Sequence, residues 1–224
     1  MQDSDDKSEA RQLQEIDEWQ RTYTACERPF QDACAIGDLA QVQQRAPLAT
    51  NIGDGIVAAA RCGHASVLPW LIAERDRRAP TRANPDATLG QALCNAVANR
   101  YLDAMNVLLD NGARAGQMLE WILTNSWPEG EQRLIDMALA EPDLDLAPIA
   151  YFGRPDILRR VASRLSAADA TIFLRKTCDR VRFWFELGEM DKIKCDRYTT
   201  VYAILGSLGA THCAECVPPA SAAQ

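Results

Sequence analysis

Residues 56–72, IVAAARCGHASVLPWLI, decide how this chain is read. They place small and apolar residues on a first helix, close it at Gly63, and resume an apolar face from Val67 onward. Glycine accepts the left-handed conformation that ends a helix, and apolar residues beyond it lay a second helix back against the first. The same order recurs along the chain. Residues 33–42 read ACAIGDLAQV, residues 59–68 AARCGHASVL, and residues 149–158 IAYFGRPDIL. Each has two small or apolar residues, two variable ones, a glycine and then an apolar pair. Each therefore predicts a helix hairpin, and the recurrence predicts a row of hairpins that bury their apolar sides on one another.

Ala59, Ala60, Gly63, His64, Val67, Leu68, Leu71 and Ile72 occupy a pattern that resembles the ankyrin repeat. Pro29, Phe30, Ala33, Cys34, Gly37, Asp38 and Val42 resemble it in the same way, and Pro29 suits the first turn of a helix. A third unit follows through Leu93, Ala96, Val97, Met105, Leu108, Leu109, Gly112 and Ala113, with Arg100 in the glycine place. The fourth carries Gly130, Leu134, Ile135 and Leu139 before EPDLDL at 141–146, and the fifth Gly153, Ile157, Leu158 and Val161. A sixth is read from Ser166, which can cap a helix with Asp169, and from FWFELG at 183–188. The anchors at 37, 63, 100, 130 and 153 are irregularly spaced and mostly closer than the family's roughly 33 residues. That spacing implies shortened connecting hairpin loops; the full TPLH signature is absent.

The resemblance spans residues 28–188. It implies an all-α fold, an ankyrin-like helical-hairpin repeat solenoid of about five to six units with helical caps. HEAT-like arrays would give the same architecture class. Around the repeats, residues 1–9 read as a disordered acidic tail and 10–27 as an N-terminal capping helix bearing Leu13, Ile16, Trp19 and Tyr23. Residues 189–217 read as a C-terminal capping region containing the apolar run TTVYAILGSLGA at 199–210, and 218–224 as a tail. The stretch 73–91, with Arg75, Arg77, Arg78 and Arg82, reads as a long irregular loop, either solvated or an arm for an acidic group.

A net charge of -7 and a pI near 4.9 argue against nucleic acid or anionic membrane as partner, because phosphates gather clustered Lys and Arg. No run approaches the roughly 18 apolar residues of a membrane span, and the acidic start lacks a signal peptide's basic region. A cytoplasmic or nuclear location is expected. Eight cysteines scattered through apolar patterns suit reduced thiols.

Chemistry-bearing motifs are few. His212, Cys213 and Cys216 form HCAEC, but a structural zinc needs four ligands and no second close pair follows, so no metal is expected. The Gly206 and Gly209 region lacks phosphate-loop spacing, and no cofactor is expected. His64 reads as structural, and no catalytic residue is assigned.

In proteins resembling ankyrin repeats, the variable pair before each glycine faces the ligand. Carried over by motif position, the pairs are Ala35 and Ile36, Arg61 and Cys62, Ala98 and Asn99, Pro128 and Glu129, and Tyr151 and Phe152. The aromatic pair is the most informative, because aromatics dominate energetic hot spots. Trp127 and Trp121 would extend that patch. Val67, Leu71, Met105, Leu108, Ile135, Leu139, Ile157 and Leu158 should be core. The reading favours a protein-binding adaptor over an enzyme. Its alternative is a small-molecule-binding or catalytic protein, such as a biosynthetic enzyme, with an aromatic-lined groove on the same scaffold.

Overall fold

A computed structural model describes residues 20–21, 23–78, 85–125 and 127–211. Among these residues the chain is entirely helical, with twelve α-helices and no strand. It divides into two compact units, Met1–Ala115 and Gly116–Gln224. The first holds α1 (Arg28–Ile36), α2 (Leu39–Arg45), α3 (Ile52–Arg61), α4 (Leu68–Arg78), α5 (Pro85–Ala98) and α6 (Leu102–Asp110). The second holds α7 (Leu119–Thr124), α8 (Pro128–Ala140), α9 (Ala147–Tyr151), α10 (Pro155–Val161), α11 (Ala167–Glu186) and α12 (Lys192–Ser207). No helix among the described residues is long and apolar enough to cross a membrane.

In the first unit α3 is central, packed between α1 and α5 and against its own partner α4. Its composition explains why. The sequence IGDGIVAAAR buries Ile52, Gly53, Gly55, Ile56, Ala58, Ala59 and Ala60, so small residues let helices approach from more than one side. A Cβ at Gly55 would lie 2.6 Å from the Phe30 ring and 2.9 Å from Cys34 Sγ. Cys34 is buried, and burial pushes its thiol up to about 12. The core continues through Leu68, Leu71, Leu93, Met105 and Leu108.

The second unit is arranged similarly. There α9 packs against α7, α11 and its own partner α10, while α10 meets α12. Leu119, Leu134, Ile149, Ile157 and Leu158 are fully buried, and α11 begins with the Ser166–Asp169 capping box expected from its sequence. Of the expected core residues only Leu139 is half-buried.

One hydrogen-bond motif ends many of these helices. At Gly63, Arg100, Gly112, Gly153, Gly188 and Gly209 the backbone enters the left-handed region. Each left-handed residue donates its N–H to the carbonyl three residues back, and the following residue donates to the carbonyl five back from itself. The second bonds run His64 to Ala59, Tyr101 to Ala96, Ala113 to Leu108, Arg154 to Ile149, Glu189 to Trp184 and Ala210 to Leu205, at 2.8 to 3.2 Å. This satisfies carbonyls that a helix end leaves open. Arg100 adopts φ 60° without glycine's freedom, so its expected place at the turn is kept at a steric cost of about 1 kcal/mol.

Rings cover the turns at Gly37, which is also left-handed, and at Gly63. A Cβ on Gly37 would meet His64 Cγ at 2.5 Å, and one on Gly63 would meet Tyr101 Cδ1 at 2.7 Å. The residue after one turn thus lies on the glycine of the turn before it. The His64 ring thus packs on the turn before its own.

Two expectations are corrected. Gly130 does not end a helix: it is the third residue of α8, outside the left-handed region, and a Cβ there would sit 2.4 Å from the Trp127 ring. The glycine makes room for the indole, and the reversal falls near Asn125, with Trp127 as N-cap and Pro128 opening α8. Pro128 and Glu129 therefore lie in the first turn of a second helix. The stretch 73–91 is also mostly helical, in α4 and α5. Arg77 and Arg78 both donate to Glu74 at 2.7 Å, and Arg78 reaches the carbonyls of Ala46 and Ala49 at 2.8 Å, which favours helix over loop. Residues 79–84, including Arg82, lie outside the described residues, as do 1–19 of the expected tail and cap and 212–224. Residues 23–27 form a π-helical turn running into α1.

Gly63→Ala and Gly112→Ala separate backbone strain from stacking, since a Cβ at Gly112 meets nothing within 4 Å. Gly112→Ala is expected to cost about 1 kcal/mol from the left-handed conformation alone, and Gly63→Ala about 3 kcal/mol through the added ring clash. Urea denaturation of the two variants, followed by circular dichroism, measures the difference.

Candidate functional site

Helix α9 is only five residues long because Gly153, φ 65°, turns the chain immediately after Phe152. The turn leaves Tyr151 and Phe152 half-buried at the helix end, their rings in edge contact with centroids 5.0 Å apart. Behind the turn, the Tyr198 ring of α12 packs on Gly153, and its hydroxyl donates to the Tyr151 carbonyl at 3.0 Å. Burial pushes the Tyr198 phenol above its ordinary range.

Arg180, from the middle of α11, enters this aromatic group. Its guanidinium carbon is 4.8 Å from the Tyr151 ring centroid, 5.7 Å from Phe152, 5.3 Å from Phe183 and 4.4 Å from Trp184. It donates to the Tyr151 hydroxyl at 3.2 Å, while its Nε is buried without a hydrogen-bond partner. Lys194 adds a second cation 4.4 Å from the Trp184 centroid and donates to the Glu189 carbonyl at 2.6 Å. Cations over ring faces are attracted by the π-electron density, so the guanidinium and rings hold one another in place.

Phe152 forms a wall of two open grooves in this unit. One, of about 340 Å³, is lined by Glu120, Pro148, Tyr151, Phe152, Lys176 and Asp179. The other, of about 510 Å³, contains Thr124, Asn125, Glu131, Arg154, Asp156 and Arg197 beside Phe152. In the second groove Arg154 donates to Glu131 at 2.8 Å and to both oxygens of Asp156 at 2.9 and 3.1 Å. Those bonds hold the Asp156 carboxyl below its ordinary range, despite opposing desolvation.

The partner-contact residues expected from sequence fall in both units. Tyr151 and Phe152 stand together at the grooves. Trp127 is 4% exposed, its ring over Gly130, so it offers almost no contact surface; Glu129 is exposed on α8. Trp121 is half-buried on α7. Arg61, Cys62, Ala98 and Asn99 belong to the first unit, at the ends of α3 and α5. Of these Arg61, Ala98 and Asn99 are exposed and Cys62 half-buried, and the Asn99 amide is committed to the Asn95 carbonyl at 2.8 Å. Ile36, at the corresponding end of α1, is 65% exposed.

Arg180, Trp184, Lys194 and Tyr198 escaped sequence reasoning. For Arg180 and Trp184 the signal was present as an arginine one helical turn before FWF in RVRFWF, which places a cation and rings on neighbouring helix positions. The HCAEC segment lies outside the described residues, and among the described residues no group of three or more His, Cys, Asp or Glu could hold a metal ion. The six described cysteines are free of disulfides. Comparison with protein-family models, curated proteins and solved structures found no match to this chain.

Asp156 gives the second unit a signed pH dependence. A carboxyl held low when folded contributes stability above its unfolded pKa, near 4, and loses that contribution as pH falls through the folded value. Melting temperature should therefore fall on acidification from about pH 5 to pH 3, and fall less in Arg154→Met. Thermal scans at graded pH compare the two slopes.

Proposed function

We propose that this chain is a divergent ankyrin-like stack of helix pairs that acts by holding a protein partner, with Tyr151 and Phe152 as the anchor of the contact. Support for the repeat reading comes from the common helix-ending motif and from the packing of first helices on first helices, α1–α3–α5 in one unit and α7–α9–α11 in the other. An array of this kind presents successive turn ends as a contact surface.

The observation carrying the functional reading is the clamped aromatic pair. Two rings half-exposed at a turn, with their orientation held by Arg180 and Tyr198, offer contact area whose ordering cost is already met before binding. Both adjoining grooves are open rather than enclosed, which favours an extended partner over a sequestered substrate. The exposed ends of α1, α3 and α5, with Ile36, Arg61, Ala98 and Asn99, are a weaker contact strip in the first unit.

Affinity capture with the full chain, followed by titration of the recovered protein, tests the proposal. Phe152→Ala should weaken that complex by about tenfold or more while leaving the helical circular dichroism spectrum unchanged. Failure to recover a saturable partner, or equal affinity of the folded variant, overturns the reading.

A further inference from the structure

We infer that the groove beside Tyr151 and Phe152 receives a basic side chain, with arginine preferred to lysine. This rests on the protein-binding reading and assigns the chemistry of the partner at that site.

The groove brings two carboxylates from separate helices to an aromatic wall. Glu120 comes from α7 and Asp179 from α11, both are exposed, and neither side-chain carboxylate has a hydrogen bond or ion pair among the described residues. Across Phe152 the situation is reversed, because Glu131 and Asp156 are both bonded to Arg154. The available negative charge thus faces the groove of Pro148, Tyr151 and Phe152.

Those walls suit a guanidinium in two ways. Its plane can lie against the aromatic and proline surfaces, while its fork of N–H donors reaches carboxylates at the rim. The protein's own Arg180 already associates with the same two rings, showing that their positions accommodate a cation nearby. Lys176 in the groove and Arg180 on its rings are the opposing positive charges, so the preference rests on the two rim carboxylates that a guest side chain can reach.

The test uses the full chain and acetylated glycine peptides carrying one central arginine, citrulline or glutamate, titrated by amide NMR. The arginine peptide should shift Glu120, Tyr151, Phe152 and Asp179, and citrulline, which keeps the shape without the charge, should bind about tenfold more weakly. Glu120→Gln with Asp179→Asn should weaken the arginine peptide about tenfold, whereas Lys176→Gln should strengthen it about twofold to fivefold. Equal binding of arginine and citrulline peptides, or an unchanged affinity in the double variant, overturns the inference. A captured protein that depends on Phe152 but not on Glu120 and Asp179 also overturns this chemistry while supporting the adaptor reading. Site-specific arginine binding without any captured protein supports the groove and overturns the adaptor reading.

Discussion

The fold depends on ending short helices without leaving their last carbonyls bare. At six of the reversals the left-handed residue and its successor aim two backbone N–H groups at those carbonyls, so that the turn is satisfied within itself and remains short. Short turns bring the paired helices together, and their apolar sides can then close on neighbouring pairs. In the first unit the constraint has a second effect, because the absence of a side chain at Gly37 and Gly63 gives His64 and Tyr101 a place to lie. Backbone conformation and interpair packing are consequently specified at the same positions.

That coupling explains what could be read from the sequence. Gly37, Gly63 and Gly153 sit in the same residue order and share the same backbone state, so their hairpins were legible. Arg100 shows that the position persists when glycine does not, since Arg100 and Tyr101 donate the same two bonds. Gly130 was misleading for the opposite reason. Its small size accommodates Trp127, and sequence spacing does not distinguish a glycine needed for backbone freedom from one needed for space. The helical 73–78 segment was missed because its Pro- and Arg-rich surroundings resemble a loop, while the bonds from Arg78 to Ala46 and Ala49 are made across distant positions in the chain.

The candidate site was legible only where it coincided with a repeat position. Tyr151 and Phe152 precede a recognisable glycine, whereas Arg180, Trp184 and Tyr198 lie within long helices whose local patterns also suit ordinary packing. Their convergence follows from tertiary structure: α11 lies against α9, and α12 lies against both α10 and α11. The short helix supplies the half-buried rings, and the longer ones supply the groups that hold them.

Energetics distinguish holding the rings from stabilising the fold. Each cation–π contact at a partly exposed site contributes about 0.5 to 1 kcal/mol, and contacts sharing one guanidinium are not additive. The partnerless Arg180 Nε opposes them by about 1 to 3 kcal/mol. The favourable and unfavourable effects are therefore of similar size, and the cluster adds little net stability. Its definite consequence is geometric: Arg180 touches the rings and bonds the Tyr151 hydroxyl, while Tyr198 bonds the Tyr151 backbone. Two attachments restrict the aromatic pair at its side chain and its main chain, so rigidity at the groove arises without requiring this polar cluster to stabilise the core.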